Sequence, residues 1–238
     1  MRLRSAFALA AVAVGSLSAT TVAAPHADAA AGCANVTVVF ARGTQETAPP
    51  VGVTGLAFGQ ELRSRLPGKN VRISAVNYPA SGDFNDRPAF VRNLVRGIKD
   101  TQAQVRGIAA RCPKTRIVVG GYSQGAVVAT YAVADSIAIP AKYMKYSAQA
   151  PKPMPADVAR HVSAVVLFAP ASSHWIRQVG APPMHVGAAY RGKTRSYCAP
   201  GDNVCDGSPV GAPQAVHLTY PVNGATAQAA DFAARRSR

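Results

Sequence analysis

The segment from Ile117 to Ala132 constrains the fold more than any other part of this 238-residue chain. Ile117 to Val119 is an apolar β-branched run, suited to a strand buried on both faces. Gly120-Gly121-Tyr122-Ser123-Gln124-Gly125 is a turn with one serine, and Ala126 to Ala132 is a small-residue apolar stretch suited to a helix. Strand, G-x-S-x-G and helix in this order form an elbow that exposes a serine hydroxyl. Side chains at Gly121 or Gly125 would collide with the neighbouring strand or helix, and the serine must take a strained backbone conformation. The helix that follows directs its positive end at the serine, where an oxyanion would form. A plain Gly-rich strand–helix connection and a phosphate-cradling loop are the competing readings, and against the latter no lysine follows the glycines.

Around this elbow, strands are predicted at Val36–Phe40, Val71–Val76, Arg116–Gly120, Val162–Phe168 and Thr194–Tyr197. Helices are predicted at about Gly52–Leu66, about Arg87–Arg111, from the elbow to about Ser136, and at Ala225–Ala234. The second of these has apolar residues at Val91, Leu94, Val95, Ile98, Val105, Ile108 and Ala109, a 3.6-residue period, with Asp86 to cap it and Pro88 in its first turn. The Pro-rich stretch Pro140–Pro155, with room for a short helix, the stretch Ala169–Ala189 and the stretch up to Asn223 read as connections. Arg235–Arg238 reads as a frayed basic tail. Alternating strands and helices predict one doubly wound α/β domain with a mostly parallel sheet covered on both faces. Ligands of such sheets bind at the C-terminal ends of the strands. That rule places Thr44, Ser123, His174 and the Cys198–Cys205 segment on one edge.

The N-terminus stands apart. Arg2 and Arg4, the apolar run Ala6–Val14 and the small-x-small site Ala27-Asp28-Ala29 read as a secretory signal peptide over residues 1–29, followed by a single domain over 30–238. The apolar run is too short for a membrane span, so no stable membrane insertion is expected. Ala30-Ala31-Gly32-Cys33 loosely resembles a lipobox, but Ala30 stands where a large apolar residue belongs. The four cysteines of a secreted chain suggest two disulfides. Cys198 and Cys205 flank Pro200-Gly201 closely, which leaves Cys33 for Cys112. The long loop would contribute about 4 kcal/mol and the short one about 2.5 kcal/mol by restricting the unfolded chain. Neither CxxC nor HxxxH spacing is present, so no metal is implied, and no cofactor.

Removing Arg2, Arg4 and Asp28 from 26 basic and 11 acidic residues leaves 24 and 10, a net charge of +14. The basic residues are scattered and not interleaved with aromatics, which argues against nucleic acid and for a solubilising surface with affinity for acidic polymers or lipid headgroups.

A serine hydroxyl needs a base, and the base an orienting acid. His161 precedes the fourth strand and so sits at the wrong edge, His185 lies in a Pro/Gly loop, and His174 follows the fourth strand closely. His217 comes after the last strand, in the order Ser…Asp…His, and leads His174. Asp202 lies inside the small cysteine ring, where Gly201-Asp202-Asn203 also reads as a turn, with Asp206 just outside it as runner-up. Asp231 is out of order. The backbone N–H of Gln124 is one oxyanion donor, and Thr44, after the first strand, offers the other unless it is an ordinary polar loop residue; Arg42 reads equally as a brace of that loop or as a solvated surface arginine.

At these residues the chain resembles the cutinase family in its bacterial branch. The resemblance rests on Phe40-Ala41-Arg42-Gly43-Thr44, Cys112-Pro113, Gly120–Gly125, Cys198-Ala199-Pro200-Gly201-Asp202-Asn203-Val204-Cys205 and His217-Leu218-Thr219-Tyr220, and it covers nearly the whole mature chain. It implies a five-stranded α/β-hydrolase core of the short, lidless type. It also implies a triad of Ser123, Asp202 and His217, an oxyanion hole at Thr44 and Gln124, and the disulfides Cys33–Cys112 and Cys198–Cys205. His174 loses its candidacy by this resemblance alone. Ala169–Ser173 reads APASS, where the family more often has a Gly-Asp or Gly-Tyr pair. The expectation is a secreted, monomeric serine esterase, extracellular or cell-wall associated, acting on short- to medium-chain acyl esters and cutin-type polyesters. The same family includes acetylxylan-type carbohydrate deacetylases and lipid esterases or phospholipases, and a non-catalytic secreted binding protein is the reading from another class.

Overall fold

Three strands apolar along nearly their whole length form the centre of the sheet: β1 (Val36–Ala41), β3 (Arg116–Tyr122) and β4 (Val162–Phe168). The shorter and more polar β2 (Val71–Ala75) and β5 (Thr194–Tyr197) take the edges. The order is β2-β1-β3-β4-β5, and every pairing is parallel. This is a computed structural model that describes residues 32–46 and 50–238. The expected leader, residues 1–29, lies outside the described residues.

Because side chains alternate across a strand, the sheet presents two apolar faces. Val39, Ile117, Val119, Val165 and Leu167 face one side, and Val36, Val38, Phe40, Val118, Val166 and Phe168 the other. Helices α1 (Gly52–Arg65), α2 (Arg87–Arg111), α3 (Gln124–Ala132), α4 (Ser173–Gln178), α5 (Ala188–Arg191) and α6 (Ala225–Arg236) follow in chain order. α2 and α3 pack together on the first face, and α1 and α6 on the second. The rings of Phe40, Phe58 and Phe168 meet at 5.8–6.3 Å between centroids beneath α1. α2 has the expected bounds, with the Asp86 carboxylate accepting the Ala89 N–H at 2.9 Å.

Three expectations differ in detail. α3 stops at Ala132, short of Ser136, because tertiary partners claim the groups beyond it. The Val133 carbonyl accepts the Gly187 N–H at 3.0 Å, and the Asp135 carboxylate accepts the Ala188 N–H and the His185 ring. The basic tail is tied down rather than frayed. α6 runs to Arg236, Ser237 is buried against the Ser163 hydroxyl at 2.8 Å, and Lys69 donates to the Ser237 carbonyl at 3.1 Å. The stretch after β4 contains α4, capped by the Ser172 hydroxyl on the Trp175 N–H, and α5.

Strand register decides where the site lies. Ala41 pairs with Gly121, Tyr122 with Phe168, and Phe168 with Tyr197, so four strands end level. The loops that leave them emerge side by side. Among the described residues, the non-glycine residues with positive φ are Gln45, Ala80, Ser123 and Ala169, one after each of β1 to β4. Backbone strain of about 1–3 kcal/mol per residue is concentrated at this edge, where the rest of the fold sustains it.

Candidate active site

The elbow explains its own glycines. A Cβ on Gly121 would lie 2.1 Å from the Gly125 carbonyl oxygen, and one on Gly125 would lie 1.9 Å from that of Ala41. Neither backbone can retreat, since β1 and β3 are paired in the centre of the sheet. Ser123 sits between them at φ 54° and ψ −118°, its N–H held by the Phe168 carbonyl at 2.9 Å. The strained residue is thus anchored to β4, and its side chain stands at the sheet edge.

The Ser123 hydroxyl lies 2.9 Å from His217 Nε2, and the other ring nitrogen, Nδ1, lies 2.9 Å from both Asp202 carboxylate oxygens. His217 belongs to a short 3-10 turn, Ala215–Leu218. Its carbonyl accepts the Tyr122 hydroxyl at 2.6 Å, so the residue before the serine also holds the backbone of the histidine. Asp202 is fully buried. Burial alone would push its carboxyl up. Hydrogen bonds from His217 and Tyr220, the charge on His217 and the Val204 N–H together outweigh that and hold it below its ordinary value. Tyr220 donates to Asp202 Oδ2 at 2.8 Å and accepts the Ala199 N–H at 2.8 Å. Burial pushes the Tyr220 hydroxyl well above its usual value, so it remains a donor. The ring closed by Cys198–Cys205 fixes the Asp202 backbone further. Its N–H donates to Ala199, and its carbonyl accepts from Cys205 and Asp206, each at 3.0 Å. Cys33–Cys112 forms as well.

The backbone N–H groups of Thr44 and Gln124 have no acceptor among the described residues. From Gly43 to Glu46, the N–H of Gly43 goes to the Glu46 carboxylate, that of Gln45 to the Ala80 carbonyl, and that of Glu46 to the Gly43 carbonyl. Among the described residues, only the Thr44 N–H in this loop has no internal acceptor. The Gln124 N–H opens α3 and is likewise unspent, as the first amides of a helix are. The Gln124 side chain is occupied elsewhere, donating to the Ser81 carbonyl at 2.9 Å. Arg42 does brace the loop: it donates to the Pro79 carbonyl at 3.1 Å, lies over the Tyr78 ring, and accepts the Tyr78 hydroxyl on its own carbonyl.

The rival candidates have other positions. His161 stands at the start of β4, at the opposite end of the sheet. His185 pairs with Asp135 at 2.7 Å. His174 lies in α4, its Nε2 buried with no partner among the described residues and not joined to Ser123. Asp206 accepts the Ser208 N–H, and Asp231 pairs with Arg65. Sequence reasoning assigned no role to Tyr122, Tyr220 or Glu46. Tyr220 stands within the His217–Tyr220 motif, but its partner is set by tertiary contact.

A parallel sheet with a serine on a strand–helix elbow, faced by a histidine and a buried aspartate, is the architecture of an α/β hydrolase. The profile of the Cutinase family matches residues 32–237, and the chain belongs to that family. It is a carboxylic ester hydrolase. "Carboxylesterase Culp1" of Mycobacterium tuberculosis is 37% identical over 234 residues, 94% of either chain. "Probable carboxylesterase Culp7" of the same organism is 43% identical over 175 residues, 73% of this chain and 88% of the relative. Among solved structures, a Trichoderma reesei cutinase in complex with a phosphonate inhibitor superposes with a TM-score of 0.61 at 28% identity, over 87% of this chain and 78% of that one.

Proposed function

We propose that this ester hydrolase works through Ser123, His217 and Asp202, with the backbone N–H groups of Thr44 and Gln124 as its oxyanion hole. The observation that carries the reading is the unbroken line from the Ser123 hydroxyl through both ring nitrogens of His217 to the Asp202 carboxylate, with each contact at 2.9 Å. His217 Nε2 takes the hydroxyl proton as Ser123 attacks the ester carbonyl carbon. The carbonyl oxygen, now an oxyanion, receives the two unspent N–H groups. His217 returns the proton to the leaving alkoxide, and the alcohol departs from an acyl-enzyme. Water then repeats the sequence and frees the acid. Asp202 keeps the Nδ1 proton in place and offsets the charge of the imidazolium.

The substrates of this reading are short- to medium-chain acyl esters, including cutin-type polyesters at a polymer surface. Exposed apolar side chains support it: Leu218, beside His217, and Phe84, in the loop that Gln124 holds through Ser81, are 74% and 58% exposed. Among the described residues, no helix is long and apolar enough to cross a membrane. Two disulfides suit an oxidising compartment. We read residues 1–29 as a signal peptide and 30–238 as one secreted, monomeric domain. A serine-directed phosphonate should label Ser123 in the folded, oxidised protein and abolish turnover of p-nitrophenyl butyrate. An unlabelled Ser123, or a Ser123→Ala variant with undiminished turnover, would refute the assignment. Turnover confined to the acetate ester would instead identify a deacetylase.

A further inference from the structure

We infer that Glu46 is a positioning residue of the oxyanion hole, its carboxylate clamping the loop that carries Thr44 to the first turn of α1. The inference rests on the esterase reading above and adds a residue to it.

α1 begins without a cap of its own. Val51 stands at its N-cap with no side chain to accept a backbone N–H, and its first turn contains no acidic residue. The amides of that turn still need an acceptor. Glu46 supplies one from outside the helix: Oε1 accepts the Val53 N–H at 3.0 Å. The second oxygen turns back on its own loop, where Oε2 accepts the Gly43 N–H at 2.6 Å. One charge thus bridges two backbone segments through charge-assisted hydrogen bonds, at the positive end of a helix. The space is shaped for it. A Cβ on Gly52 would lie 2.2 Å from Oε2, so a side chain there would expel the carboxylate.

The clamp acts on catalysis through Gly43. A Cβ on Gly43 would meet the Tyr122 ring at 2.6 Å, so this glycine lies flat against the residue that precedes Ser123. α1 is fixed in the core by Phe58 and Leu62, both fully buried. Through Glu46 the loop inherits that rigidity. By taking the Gly43 N–H, the carboxylate also closes the turn from Gly43 to Glu46, in which, among the described residues, only Thr44 keeps an undonated amide. A loop released from α1 could shift that donor relative to the elbow, and oxyanion stabilisation depends on such donors being held in advance.

Glu46→Gln is the test, because it preserves size while replacing one acceptor oxygen with an NH2 that confronts a backbone N–H. Removing a whole oxyanion donor costs about 100- to 1,000-fold in kcat. A displaced donor should cost about tenfold or somewhat more, with KM for p-nitrophenyl butyrate nearly unchanged. Affinity for a trifluoromethyl ketone, whose serine hemiketal carries an oxyanion, should fall in parallel with kcat at temperatures well below the melting transition. A merely structural role would lower the melting temperature and leave both readouts alone. Should Glu46→Gln fail to fold, Val53→Pro removes the helix-side N–H at a first-turn position that accepts proline. It should lower kcat in the same direction by a smaller factor. Wild-type kcat and ketone affinity in a folded Glu46→Gln, or in Val53→Pro where that variant carries the test, would overturn the inference. If Ser123→Ala is then inactive, the esterase reading survives that result. A fully active Ser123→Ala would sink both.

Discussion

Tyr220→Phe isolates one hydroxyl at the centre of the site. The ring is fully buried, with the rings of Tyr122 and Phe168 at 5.7 Å and 6.3 Å, and phenylalanine fills the same space. What is lost is a 2.8 Å donor to the Asp202 carboxylate and a 2.8 Å acceptor for the buried Ala199 N–H. A hydrogen bond to a charged group is worth about 1.5–3 kcal/mol, and orphaning a buried amide costs about 1–3 kcal/mol. The two terms overlap in one hydroxyl, so the expected loss is about 3 kcal/mol. For a domain of this size that corresponds to a fall of about 6–12 °C in Tm. The loss should depend on pH. Asp202 is held below its ordinary value in the folded state, so it contributes stability above the unfolded carboxyl value of about 3.9. That contribution disappears as pH falls through the lower folded value. Removing the Tyr220 donor raises the folded value, so the gap between variant and wild type should be widest near neutrality and narrow in acid. Thermal melts followed by circular dichroism at pH 7 and in steps towards pH 3 measure it. Asp202 retains His217 and the Val204 N–H, so on the proposed role of Asp202 kcat should fall by about tenfold, far less than the roughly 10,000-fold of losing a triad carboxylate. A variant with wild-type Tm at neutral pH, or a gap that does not change with acid, would refute the reasoning.

Gly125→Ala should give a protein that folds poorly or lacks activity, since its Cβ would enter the Ala41 carbonyl at 1.9 Å; soluble yield and phosphonate labelling check this, and full activity would mean the elbow can open. The two disulfides should separate stability from function. Replacing Cys33 and Cys112 by serine opens a loop of 79 residues and should cost about 4 kcal/mol in denaturant unfolding, with kcat largely kept. Replacing Cys198 and Cys205 opens a separation of 7 residues, costs about 2.5 kcal/mol, and should lower kcat because that ring holds the Asp202 backbone.

Features set by short-range physics can be read from the order of residues alone. The elbow was legible because strand, glycines and helix are contiguous and their steric demands are local. α2 was legible nearly to its ends because Asp86 and Pro88 start it and Cys112-Pro113 ends it. The three central strands were legible because burial on both faces demands unbroken apolar runs. Local signals failed where distant groups compete for the backbone: α3 ends early because the segment around Gly187 claims Val133 and Asp135, and the C-terminus is ordered because Ser237 finds Ser163. The site divides in the same way. Residue types and chain order could nominate His217 and Asp202, but could not exclude His174 or Asp206 without the family resemblance. It takes the folded chain to show that the His217 ring lies against a serine 94 positions away, that Tyr220 holds Asp202, and that Glu46 ties the Thr44 loop to α1. Those contacts join loops from separate strand ends. They arise because parallel register brings β1, β3, β4 and β5 to a common edge, a property of the assembled sheet and of no single segment.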